Sequence, residues 1–317
     1  MARMNIPKRF RRTKLFKEPE DLGFGTQLTE SDERLINPDG SFNIDRVGLR
    51  SWTPYQSLVE MDWTQFFLIL IIFYGAVNLI FAILYLLVGV EHLSGSDTTD
   101  LSFRLAEAFF FSIQTFTTVG YGAVHPTGLV ANLIASFNAL VGLMGFALMT
   151  GLFFARFSKP KAQILFSKNA LIAPYRNGWS FQFRIANKRN NQMINLQARM
   201  IMSWVEKKKK ERVRRYAVLK LERDQVSFFP LNWTIVHAIA EDSPLHNRTE
   251  EEMEEINAEF LVLVEGYDET YAQTVHVNHS YTWRELQWNK KFKTMYFPSE
   301  DGRTVLDLRK IDDIAQV

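Results

Sequence analysis

Residues 117–122 read Thr-Thr-Val-Gly-Tyr-Gly and lie between two long apolar runs, directly after a short segment of helical spacing. Gly120 and Gly122 admit positive φ without a Cβ clash. Successive carbonyls of 118–122 are therefore free to face one way, where those of an ordinary strand alternate. Thr118 adds a hydroxyl below the carbonyl row, and Val119 and Tyr121 turn outward to wedge the strand against the wall behind it. One such strand presents its oxygens to one side only.

Working outward, 64–90 is an apolar run softened only by the mildly polar Tyr74 and Asn78, and 128–157 is a second of similar length. Each is long enough to cross a hydrocarbon layer of roughly 30 Å with some tilt. Glu91, Asp97, Asp100 and Glu107 lie between them against a single Arg104, whereas Arg156, Lys159, Lys161 and Lys168 follow the second. By the positive-inside rule both termini are cytoplasmic and 95–99 is outside. The segment 102–116 is too short to span. With 117–122 it forms a re-entrant hairpin, tolerated at membrane depth only where protein or a water-filled cavity surrounds it.

Upstream, Trp52, Tyr55, Val59 and Trp63 recur every three to four residues with Pro54 suited to a first turn, which predicts an amphipathic interfacial helix over 52–62. Residues 1–51 read as a cytoplasmic tail: Lys8, Arg9, Arg11, Arg12, Lys14 and Lys17 cluster early, Asn37-Pro38-Asp39-Gly40 is a turn, and Phe42-Asn43-Ile44 suits a short strand. No apolar segment with a small-residue cleavage site opens the chain. The pore domain then covers 63–158. From 159 to 317 the pattern changes to short alternating segments. Strands are expected over 181–186, 195–204, 216–221, 234–239, 260–264 and 271–279, with turns at Asn177-Gly178 and Asp301-Gly302 and one acidic helix over 249–257. The fold class is thus membrane α plus cytoplasmic β, ending in an immunoglobulin-like β-sandwich.

Composition excludes several functions. The 317 residues include no cysteine, so a disulfide framework, a Cys-based zinc site and a thiol nucleophile are out. A formal net charge of +2 hides local segregation that reports topology. The basic run 207–215 has no interleaved aromatic until Tyr216 and reads as a solvated hairpin, not a nucleic-acid surface. The acidic run 250–255 lacks EF-hand spacing. No nucleophile, base and orienter pattern and no Gly-rich phosphate loop occurs, so no enzyme and no cofactor is expected.

Thr118-Val119-Gly120-Tyr121-Gly122 spells the selectivity filter of potassium channels, whose carbonyls replace the hydration shell of the permeant ion. With Asn37-Pro38-Asp39-Gly40-Ser41, Ala155-Arg156-Phe157-Ser158-Lys159-Pro160, Asp242-Ser243-Pro244-Leu245, Val264-Glu265-Gly266 and the segment 272–281, the chain from about Asn37 onward resembles a prokaryotic inward-rectifier potassium channel. No arginine-rich helix precedes the pore. The resemblance implies passive potassium conduction by a homotetramer in the cell inner membrane, gated by lipid headgroups and by movement of the cytoplasmic domain. It implies potassium as permeant ion at Thr118, Val119, Gly120, Tyr121 and Gly122, and an anionic lipid such as a phosphoinositide at Arg156, Lys159 and Lys161.

Asn138, Gly142, Phe146, Thr150 and Phe154 repeat every four residues, which predicts one slowly drifting face. If that face lines the pore, Thr150 wets the cavity and Phe154 is a hydrophobic gate; packing of the phenylalanines against the first span is the other option. Gly142, Gly145 and Gly151 suit close helix contact or bending. The resemblance places Arg215, Glu265 and His276 along the cytoplasmic pore. Phe146 and Arg215 stand where many eukaryotic relatives carry acids that attract blocking cations, so rectification is expected to be weak. Gln114 and Val124 stand where those relatives brace the filter with a glutamate and an arginine, so bracing must come from elsewhere. His276 and His279, three apart on a strand, face opposite ways and make no metal pair. Two rivals remain at this point: a membrane-anchored binding module with a non-conducting pore, and a channel gated by a small ligand or calcium.

Overall fold

The computed structural model describes residues 34–48, 53–89, 92–94, 101–160, 163–208 and 211–317, with only the backbone of 101, 207, 208 and 211. The chain divides into two compact units, one formed by 47–159 and the other by 160–317 together with the described N-terminal residues 34–46.

In the first unit, α1 (Pro54–Glu60) carries proline at its start, where the missing N–H would be unpaired anyway. Trp52 and the loop 95–99 lie outside the described residues. Among the described residues two helices are long and apolar enough to cross a membrane, α2 (Trp63–Val88) and α4 (Leu129–Phe157). Between them come β1 (Leu93–Ser94), α3 (Leu101–Phe116) and β2 (His125–Pro126), the two short strands pairing antiparallel. Phe81, Ala82 and Tyr85 of α2 pack with Ala108 and Phe111 of α3, with Ile134, Ala135 and Val141 of α4 closing the cluster.

The second unit is the β-sandwich. It contains β3 (Ile164–Phe166), β4 (Ala170–Tyr175), β5 (Gly178–Asn187), β6 (Met193–Lys208), β7 (Glu211–Leu219), β8 (Gln225–Phe228) and β9 (Asn232–Ile239). Helix α5 (Glu250–Glu255) follows, started by a reciprocal Thr249–Glu252 capping box. Next come β10 (Glu259–Asp268), β11 (Gln273–Thr282), β12 (Leu286–Trp288), β13 (Lys290–Phe292), β14 (Tyr296–Pro298), β15 (Thr304–Leu306) and β16 (Ile314–Gln316). One sheet runs β11-β10-β6-β7 with β8 on β6, the other β12-β4-β5-β3 with β9 on β5. Alternation assembles the core: Phe181, Phe183 and Ile185 of β5 face Phe260, Val262 and Val264 of β10 and Leu196, Met200 and Met202 of β6. Phe181 and Phe260 meet at 4.4 Å between ring centroids.

The N-terminal segment differs from the expected tail. Leu35 and Ile36 are buried against Tyr216 and Leu261, so residues 34–44 form a strap on the sandwich. Its turn reaches β11 so closely that a Cβ on Gly40, which sits at φ +85, would come 2.7 Å from the Asn278 carbonyl oxygen. Phe42 contributes one bridge to Ile36 and no longer strand.

Candidate functional site: the pore and its supports

The backbone of 117–122 has the alternation that a one-sided carbonyl row requires. Thr118, Gly120 and Gly122 sit at φ +59, +52 and +82, with residues of ordinary φ between them. Flipping the sign at every second residue turns alternate peptides over, so carbonyls that would point both ways in a strand point one way. Glycine adopts this freely. Thr118 is β-branched, and a left-handed backbone there costs about 1–3 kcal/mol that the surroundings must hold.

The surroundings are carbonyls at the end of α3. Thr117 N–H donates to the Ile113 carbonyl at 2.9 Å, Thr118 N–H to Thr115 at 3.1 Å, and Val119 and Gly120 N–H to Gln114 at 3.0 and 3.3 Å. Gln114 thus supports 119 and 120 through its backbone, and Val124 packs in the apolar cluster of α2, α3 and α4.

The four-residue series on α4 does not stay on one face. Each step of four residues turns about 40° beyond a full circle, so Phe154 is rotated some 160° from Asn138. Asn138 is accordingly fully buried inside its own chain, hydrogen-bonded to Ser112, and does not line a cavity. Gly142 is also buried, and a Cβ there would fall onto the Phe116 carbonyl. Phe146 and Phe154 are exposed at 70% and 73% in the single chain, and Thr150, exposed too, turns its hydroxyl back to the Phe146 carbonyl at 2.9 Å.

Arg156 is a second correction. Its two terminal nitrogens donate to the carbonyls of Leu58 and Met61, and its guanidinium lies 4.4 Å from both the Trp63 and Phe66 ring centroids. Phe153 and Phe157 of α4 pack in turn on those two rings. This arginine fastens the end of α1 and the start of α2 to the end of α4, and a donor from each terminal nitrogen is taken up within the chain. Lys159 pairs with Glu60 at 3.0 Å, both half exposed. Lys161 lies outside the described residues.

On the sandwich, Glu265 sits opposite His276 in the β10–β11 register, with its carboxylate 3.5 Å from His276 Nδ1 and 3.9 Å from Arg199. Arg215 is not part of this group. It pairs with Glu206 at 3.2 Å and stands across from Trp204, seven residues along β6 from Gln197, the partner of Glu265, or roughly 23 Å at strand rise.

His279 lies on the other face. It stacks on Phe166 at 4.5 Å, and burial pushes its pKa down to about 4, against a smaller upward pull from Glu285. Because the folded value is depressed, the neutral ring is favoured: stability is full above pH 6.5 and falls as pH drops from there toward 4, by up to about 3 kcal/mol. His279→Phe is expected to flatten this acid loss, read as the melting temperature of the full-length protein between pH 7 and 4.5.

The comparisons follow this geometry. Residues 164–317 match the family model described as the inward rectifier potassium channel C-terminal domain, and 69–159 match that described as an ion channel. The chain is 36% identical over 290 residues to the inward rectifier potassium channel Kirbac3.1 of Paramagnetospirillum magnetotacticum, covering 89% of this chain and 96% of that one. It belongs to the prokaryotic inward-rectifier potassium channel family. The channel is also similar to G protein-activated inward rectifier potassium channel 1 of Bos taurus, 25% identical over 87% of this chain and 60% of that one. Channel 2 of Rattus norvegicus is 26% identical over 85% of this chain and 69% of that one. These relatives are potassium channels, not enzymes, and the two long apolar helices make this one a membrane protein.

Proposed function

We propose that the channel conducts potassium passively as a homotetramer, four copies of 118–122 supplying the carbonyl rings of the filter. The alternating backbone at Thr118, Gly120 and Gly122 carries this reading, since one copy presents a row of oxygens and only a closed set of rows replaces a hydration shell. Both termini lie in the cytoplasm and the spans cross the inner membrane. Phe154 is the hydrophobic gate. Rectification is weak: Phe146 and Arg215 supply no acid, and Glu265 has His276 and Arg199 as neighbours.

Anionic lipid, a phosphoinositide among others, acts at Lys159. An exposed pair such as Lys159–Glu60 is worth under about 1 kcal/mol, so exchanging the carboxylate for a headgroup phosphate costs little. The test is potassium-driven flux into liposomes holding the purified protein, with sodium and barium controls and phosphoinositide titrated in. Potassium-selective, barium-blocked flux that responds to the lipid is the expected result, with Lys159→Gln blunting the lipid response. A folded tetramer passing no potassium in any lipid mixture would instead make the protein a membrane-anchored binding module.

A further inference from the structure

Behind the filter, three polar side chains meet with no exposure to solvent: Asn78 of α2, Ser112 of α3 and Asn138 of α4. The Ser112 hydroxyl donates to Asn78 Oδ1 at 2.8 Å and accepts from Asn138 Nδ2 at 3.1 Å. Asn138 Nδ2 also reaches the Ser112 carbonyl at 3.2 Å, and Asn78 Nδ2 donates to the Tyr74 carbonyl at 2.9 Å. The carbonyl contact requires an N–H donor, so it fixes which way the Asn138 amide points. Its Oδ1 is left buried without a partner. Apolar side chains of similar size would fill the same space, so packing alone does not account for a polar chain joining three helices.

Asn138 and Gly142 are one turn apart on α4, and they touch Ser112 and Phe116, one turn apart on α3. The two contacts set the register of the short helix against the long one. The last carbonyls of that short helix are the ones that hold the first N–H groups of the filter. We infer that Ser112, held between Asn78 and Asn138, is a positioning residue for potassium selectivity, taking the bracing task that Gln114 and Val124 do not perform with charged side chains. Losing the Ser112 hydroxyl frees α3 to slide, and the carbonyl spacing of 118–122 relaxes with it.

This rests on the assignment of 118–122 as the filter, and the experiment separates the two. The potassium-to-sodium permeability ratio is taken from reversal potentials of the full-length channel in planar bilayers, for the parent and for Ser112→Ala, Asn138→Leu and Asn78→Leu. Each variant is expected to lower the ratio at least fivefold. The double variant Asn78→Leu/Ser112→Ala should lower it no further than Ser112→Ala alone, because both cut one chain of bonds. Ile134→Ala, an apolar change in the same cluster, should lower the melting temperature and leave the ratio in place, whereas Ser112→Cys should restore most of it. A parent that fails to discriminate potassium from sodium overturns the filter assignment and the inference together. A selective parent whose Ser112→Ala and Asn138→Leu forms lose less than fivefold overturns the inference alone, as do single effects that multiply in the double variant. If Ser112→Ala does not assemble, Asn78→Leu at the outer end of the chain of bonds decides by the same fivefold criterion.

Discussion

Replacing Gly142 by alanine is expected to abolish selective potassium flux. The added methyl would fall on the carbonyl group of Phe116, a backbone atom set that cannot rotate away as a side chain would. Either α4 moves out or the last turn of α3 moves down, and both displace the carbonyls of 113–115 that hold the filter. Overpacking of this kind costs about 1–3 kcal/mol, enough to shift the equilibrium between the native arrangement and a displaced one by about five- to 140-fold. Two glycines on the same helix serve as controls. At Gly145 the nearest atom is the tip of the Phe116 ring at 3.4 Å, and at Gly151 nothing lies within 4 Å. Flux should therefore fall steeply for Gly142→Ala, modestly for Gly145→Ala and hardly at all for Gly151→Ala. An equal loss at Gly142 and Gly151 would instead point to bending freedom along the helix, because bending does not depend on a neighbour.

Glu259→Ala is expected to destabilise the cytoplasmic unit by about 3–5 kcal/mol and to release the N-terminal strap. The Glu259 carboxylate is buried 3.6 Å from Nη1 of Arg214, which is just as buried and also donates to Ser203 Oγ. Its oxygens accept the N–H groups of Leu35 at 2.9 Å and Ile36 at 3.3 Å. Removing it leaves a buried guanidinium without its counter-charge and two amides without their acceptor in a dry place. The strap is anchored elsewhere too: Arg34 donates to the Ser280 carbonyl at 2.6 Å and pairs with Glu285 at 3.3 Å, and the Ser280 hydroxyl donates to the Ile36 carbonyl at 2.9 Å. Limited proteolysis within 34–44 and thermal unfolding of the full-length protein read the two effects. The double variant Glu259→Leu/Arg214→Met should recover part of the stability and none of the strap, because the two amides stay unpaired. Full recovery of protease resistance would show that the strap holds without the two amide bonds to Glu259, on its apolar contacts and the anchors at Arg34 and Ser280.

What the sequence determined by itself was local in origin. Two glycines spaced around a tyrosine, two uncharged runs of spanning length and a series of alternating segments each carry their consequence within a few residues of chain. So the turned-over backbone at 118–122, the two long apolar helices and the sandwich were all legible. Short strands such as β3, β8 and β13 were not, since three or four residues give alternation too little length to show. Tertiary structure decided where polar groups went. Asn138 shared a four-residue spacing with Phe154, yet accumulated helical rotation turned it toward Ser112 in the interior. Arg156 read as a charge at a membrane surface, but its donors found the carbonyls left open at the end of α1, a partner 98 residues earlier in the chain. Glu259 carried no signal at all. Its role depends on a guanidinium from β7 and two amides from the N-terminal segment, brought to one point only when the sheet is complete. Apolar periodicity is written along the chain, whereas a buried polar group is defined by what surrounds it, and that is known only after folding.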